Sequence, residues 1–175
     1  GGGVKNSLSH KQLLKFSTYL NIPIVSSAGH GDVLPFDEIL YAGQMGPRGN
    51  PIASNLVKEA DVILAFGTRL GFNSTFYSFD NVNKEASIIQ IDIDEKSLGR
   101  YFPISLGICN DVKEVINRLF IKVQKWNELP SFEKWVNKFL ENKHQYLEKR
   151  ENEADLSLRP IQPSGLFKIL RETLP

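Results

Sequence analysis

The sequence predicts an α/β fold, a parallel sheet flanked by helices with a helical linker at its C-terminal end. Three observations predict it. Residues 61–67 and 87–94, and more weakly 104–109, are apolar runs closed by small or acidic residues, the continuous hydrophobicity of strands buried on both faces. Between such runs lie segments with apolar residues at i, i+3, i+4 and i+7, which is helical spacing. Strands alternating with helices imply β-α-β units and therefore parallel pairing.

Each element has a local reason. Gly1, Gly2 and Gly3 allow two readings, a flexible leader or a glycine turn that follows a strand. Ser9 has the chemistry of an N-cap, Gln12 would complete a capping box, and Leu8 and Leu13 have hydrophobic-staple spacing. The helix they open is expected to end at Leu20, with Asn21 as a left-handed stop and Pro23 beyond. Residues 22–27 are β-rich and run into small residues and glycines at 28–31. Glycines recur at 43, 46 and 49, after which Asn50 and Pro51 supply a cap and a first-turn proline. Ala53, Leu56, Val57 and Ala60 form the apolar face of that second helix. Asp111 caps a third, with Glu114 at N3 and a core face of Val112, Val115, Ile116, Leu119 and Val123. From 122 to 159, eight Lys/Arg and seven Asp/Glu are interspersed, the pattern of a solvated face. A long amphipathic helix is expected over 131–150, with its aromatic residues as the docking side. A polar linker through Asp155 and a last helix over 164–173 complete the chain.

Composition narrows the function. The 175 residues fit one domain with an added arm, and 41% hydrophobic residues build a core without disulfide or metal staples. Lys and Arg number 21 against 20 Asp and Glu, with no basic stripe, which argues against a nucleic-acid partner. No apolar run approaches the ~20 residues that span a bilayer, so no membrane partner is expected. The single cysteine, Cys109, excludes an intrachain disulfide and suits a reducing, cytoplasmic setting. Three separated histidines give no zinc cluster, and no G-x-S-x-G, Cys-His or H-E-x-x-H signature marks a catalytic centre.

In open α/β sheets, ligands bind beyond the carboxyl ends of the strands. Four features should gather there: the small residues Ser26, Ser27 and Ala28; the Gly43/Gly46/Gly49 loop before the Asn50–Pro51 helix; Gly67-Thr68-Arg69; and Asp92 with Asp94, spaced to share one face of a strand. Each also has a structural reading. The glycines can serve only positive φ, Arg69 can pair with Asp92 or Asp94, Asp94 can shape a turn, and Asp111 can be a cap alone. His30 reads as a turn residue and Arg48 as solvated. Asp92 and Asp94 lack a third ligand, so no metal site is assigned.

Taken in order, Gly1–Gly3, PIVSS (23–27), MGPRGNPIAS (45–54), EADVILAFGTR (59–69), IQIDID (89–94) and GICND (107–111) resemble the central domain of thiamine diphosphate-dependent enzymes of the acetolactate synthase group. The resemblance spans residues 1 to about 120. The stretch RPIQPSGLF (159–167) resembles the linker and first helix leading into that family's diphosphate-binding domain. The resemblance implies a six-stranded Rossmann-like sheet of the DHS-like NAD/FAD-binding type over 1–125, its first strand truncated. It implies a helical segment and linker over 126–175. It also implies a parent enzyme that is a 2-oxo acid decarboxylase or carboligase, with thiamine diphosphate and Mg²⁺ held by flanking domains. This fragment alone is then inactive. The domain's partners are the flanking domains of its own chain and sister subunits in a homo-dimer or homo-tetramer. In such enzymes the central domain holds FAD, ADP or nothing. The implied contacts for FAD or ADP are Gly1, Gly2, Gly3, Ser26, Ser27, Ala28, Gly46, Gly49, Arg69, Asp92, Ile93, Asp94 and Asp111. Asn73 replaces a second arginine of the flavin-binding pattern, and Ser97 replaces an acid. Alternatives to the acetolactate synthase type are a sulfoacetaldehyde acetyltransferase, an oxalyl-CoA decarboxylase-like enzyme or a non-catalytic nucleotide-binding module.

Overall fold

Strands at the centre and helices on either side make up the computed structural model, which describes residues 1–174; Pro175 lies outside the described residues. Strand β1 (Ile24–Ser26) pairs in parallel with β2 (Tyr41–Gln44). Strands β3 (Val62–Phe66), β4 (Ser87–Asp92) and β5 (Leu106–Cys109) form a second parallel ladder in that order. Its register sets Phe66 beside Ile91 and Asp92 beside Cys109.

Period-two alternation along these strands feeds two cores. Leu64, Phe66, Ile89 and Ile91 join Ile24 and Tyr41 on one face, against helices α2 (His10–Leu20) and α5 (Val112–Val123). Ala65 and Ile88 join Ala42 on the other face, against α3 (Pro51–Glu59) and α6 (Glu133–Asn152). Both ladders contribute to both cores, so they form one layer of an α/β/α sandwich. Ile88, Ile91 and Ile116 are fully buried, each contributing about 1.5–3 kcal/mol by removal from water.

Caps explain several boundaries. Asn50 Oδ1 accepts from Ile52 N at 2.8 Å, and Asp111 Oδ1 accepts from Lys113 N at 2.8 Å and Glu114 N at 3.3 Å. Asn21 ends α2 in the left-handed conformation, φ 50°. The capping box and staple expected at Ser9 do not form. Ser9 is buried, its Oγ lies 2.8 Å from Ser7 Oγ, and Leu8 is 70% exposed. The residues before it make a short helix, α1 (Gly2–Asn6), with Gly1 at its N-cap, so the glycines open a helix and are neither a loose leader nor a glycine turn.

Four strands differ from expectation. β5 begins at Leu106, not Ile104, and is mostly exposed instead of buried on both faces. β2 lies in a stretch read only as glycine-rich. β3 is buried on both faces only toward its end, since Val62 is 56% exposed. β4 stops at Asp92 because Asp94 caps the 3₁₀ turn Glu95–Ser97 instead of extending the strand.

Helix α6 docks through buried Val136 and Phe139. Lys143 Nζ adds hydrogen bonds to the carbonyls of Glu38 at 2.8 Å and Ile39 at 3.1 Å. Helix α7 (Pro163–Thr173) is tied back to α6 by Lys168 and Glu151, 2.6 Å apart. No described helix is long and apolar enough to cross a membrane.

Candidate functional site

An open cleft of about 630 Å³ lies over the carboxyl ends of β1, β3 and β4. The indentation between α3 and α6 holds only about 30 Å³, space for about one water, which leaves the cleft as the candidate site.

Glycines build its floor. Gly3 N donates to Gly67 O at 2.9 Å, and Gly1 N donates to Phe66 O at 3.0 Å, pinning the start of α1 to the end of β3. A Cβ on Gly3 would stand 2.5 Å from Gly67 Cα, and Gly67 itself adopts φ +55°. Only glycine permits two backbones to approach so closely, and the same absence of side chains lets a ligand reach the main chain. On one side, Ala28 N donates to Ser74 Oγ at 2.9 Å, which ties the end of β1 to the short helix α4 (Phe72–Thr75).

The charged walls are unequal. Asp92 is half-buried at the tip of β4, with Oδ1 accepting from Asp94 N at 3.0 Å. Asp94 is exposed, and both its carboxylate oxygens hold the following turn, through Lys96 N and Ser97 Oγ at 3.1 Å each. Arg69 is exposed at the mouth and forms no ion pair among the described residues, so the expected pairing with Asp92 or Asp94 is absent.

Seven of the contacts that the resemblance implies line this cleft: Gly2, Gly3, Ser27, Ala28, Arg69, Asp92 and Asp94; Gly67 and Thr68 of the turn before Arg69 line it too. The others stand elsewhere. Gly1 packs behind the floor, where a Cβ would meet Gly67 O at 2.5 Å. Ser26 is buried below it, its Oγ 2.8 Å from the Tyr41 hydroxyl, and burial raises the pKa of that phenol. Gly46 sits against the backbone of Asn73, and Gly49 closes a turn by donating to Gly46 O at 2.8 Å. Asn50 Oδ1 takes up Ile52 N at the start of the helix that follows, and neither Gly46 nor Gly49 lines the cleft. Asp111 is engaged as the cap of α5, and Ile93 is 73% exposed outside the lining.

Sequence reasoning missed the aromatic wall of Phe72, Tyr77 and Tyr101, which no strand-end pattern marks. His30, read as a turn residue, also lines the cleft, beside Gly2. Asn73 and Ser97, the two departures from the flavin pattern, both line it, Ser97 as a buried residue bonded to Asp94.

A cation free to meet phosphate, a carboxylate suited to ribose hydroxyls and a bare glycine floor fit a nucleotide. No nucleophile is paired with a base, and no group of three or more His, Cys, Asp or Glu able to hold a metal ion occurs among the described residues.

Residues 1–119 match the family described as "Thiamine pyrophosphate enzyme, central domain". The chain is similar to a sulfoacetaldehyde acetyltransferase of Castellaniella defragrans, 38% identical over 65% of this chain and 19% of the relative. It is also similar to a probable acetolactate synthase large subunit of Methanocaldococcus jannaschii, 29% identical over 99% of this chain and 28% of the relative. An acetolactate synthase large subunit of Corynebacterium glutamicum is 30% identical over 78% of this chain and 22% of its own length. The chain thus spans about a fifth to a quarter of the curated relatives it matches. The parallel layer, the glycine floor at its strand ends and a family match over more than half of the chain agree: this chain belongs to the thiamine pyrophosphate enzyme central-domain family.

Proposed function

We propose that this domain serves within a larger thiamine diphosphate-dependent enzyme that acts on a 2-oxo acid or acyl donor and transfers the resulting fragment to an acceptor. Thiamine diphosphate with Mg²⁺, held by flanking domains, supplies the carbanion-stabilising chemistry. This domain contributes architecture and a pocket for an adenine nucleotide, FAD or ADP. The observation that carries the pocket is the placement of Arg69, Asp92 and the Gly2/Gly3/Gly67 floor around one cleft. Arg69 meets the pyrophosphate, Asp92 accepts from ribose hydroxyls, and the floor admits the ligand to the main chain. Asn73 removes a cation from the flavin pattern, so ADP is as good a fit as FAD.

An acetolactate synthase-like parent is one reading. The 38% identity to a sulfoacetaldehyde acetyltransferase favours a second, an acetyltransferase of that type. In either case residues 1–125 form the central domain and 126–175 the helical segment toward the next one. The exposed apolar side chains of α7, such as Phe167 at 64%, suit contact with flanking domains or sister subunits in a dimer or tetramer. The exposed free thiol of Cys109 suits the reducing cytoplasm.

Calorimetric titration of the full-length protein with ADP and with FAD tests the pocket. Saturable binding of one of them, lost in Arg69→Ala, supports it. Unchanged affinity in the variant refutes the Arg69 assignment, and no binding of either ligand leaves the domain as scaffold alone.

A further inference from the structure

Phe72, Tyr77 and Tyr101 line the same cleft as Arg69 and Asp92, and they form a continuous aromatic surface. Tyr77 stacks on Tyr101 with centroids 4.4 Å apart and planes 29° from parallel. Phe72 lies 5.5 Å from Tyr77 and 4.9 Å from Phe76. Arg100 covers part of the Tyr101 ring at 5.2 Å. Tyr101 packs partly buried against the second core, and the rings beside it stand open. Phe72 is 53% exposed, Phe76 49% and Tyr77 48%. Soluble proteins seldom leave contiguous aromatic surface open unless something binds it. The backbone adds a second sign. Phe76 and Tyr77 are consecutive non-glycine residues in the left-handed region, at φ 52° and 56°. Such conformations cost energy, and they cluster where a side chain must be presented in one direction.

We propose that this shelf is the stacking platform for the planar heteroaromatic ring of the nucleotide, with the phosphates at Arg69 and the ribose at Asp92. The inference rests on the nucleotide reading of the cleft and extends it. Stacking of a flat ring on tyrosine is tolerant of ring identity, because adenine and isoalloxazine both present a π-face. The two ring sources are separable by ligand: ADP carries only adenine, FMN only isoalloxazine, FAD both, and inorganic pyrophosphate neither.

Calorimetry on the full-length protein with these four ligands tests the shelf, using Tyr77→Ala, Tyr77→Phe and Arg69→Ala. Tyr77→Ala is expected to weaken the ring-bearing ligand by about tenfold or more, while pyrophosphate binding is unchanged. Tyr77→Phe keeps the ring and is expected to retain affinity. Arg69→Ala weakens ring-bearing and ringless ligands alike. Whether ADP or FMN responds to Tyr77→Ala identifies the ring. Equal affinities in Tyr77→Ala and wild type, with Arg69→Ala still impaired, overturn the shelf and leave the nucleotide reading intact. Absence of binding by ADP, FMN and FAD to the wild type overturns both.

Discussion

Arg69 stands at the cleft mouth with its charge uncommitted, whereas Asp94 spends both oxygens on its own turn. Arg69→Ala should therefore weaken ADP or FAD binding tenfold or more, yet shift stability by no more than about 0.5 kcal/mol, as for other exposed positions. Paired titration and thermal melts check this. Gly67→Ala should do the opposite. Its Cβ would lie 2.4 Å from Gly3 Cα at a left-handed φ, so a loss of about 1–3 kcal/mol is expected in urea unfolding. Asp32 offers a pH test. A hydrogen bond from Lys5 holds its carboxyl below the usual carboxylate range. Its contribution is present above the unfolded carboxyl's pKa and fades as pH falls through the lower folded value. Asp32→Asn should thus flatten the acid limb of a melting-temperature profile and leave it unchanged if the contact does not persist in solution. Arg69 and Asp92 were legible in sequence because both follow apolar runs closed by a turn. Tyr77 and Tyr101 were not, since they meet from segments 24 residues apart along the chain.

Helices were more legible than strands because caps and 3.6-residue periodicity act locally. Asn50 and Asp111 cap as their sequences suggest, and Asp111→Ala should cost about 1 kcal/mol, measurable by chemical denaturation. Ser9 shows how that logic fails. Tertiary burial directs its hydroxyl to Ser7 and the Val4 carbonyl instead of the helix end. Strand β2 was hidden because Gly43, at φ +95°, sits inside it and breaks the β-branched pattern. Helix α6 depends on packing rather than propensity. Phe139 is 3% exposed, so Phe139→Ala should cost about 3–5 kcal/mol, while Trp126→Ala, at 52% exposed, should be near neutral by the same denaturation assay.

At the scale of the molecule, two ladders share two cores and bring their carboxyl ends to one cleft. That layout gathers Arg69, Asp92 and the glycine floor at one edge. The neutral charge balance, +1 overall, is consistent with a domain that docks on its own polypeptide rather than on a polyanion. The proposed division of labour assigns a nucleotide and architecture to this domain and thiamine chemistry to its neighbours. Equilibrium binding of thiamine diphosphate with Mg²⁺ to the full-length protein and to residues 1–175 alone tests that division most directly. Saturable, Mg²⁺-dependent binding by the full-length protein and none by residues 1–175 is the expected result. Binding by residues 1–175, or none by the full-length protein, would contradict it.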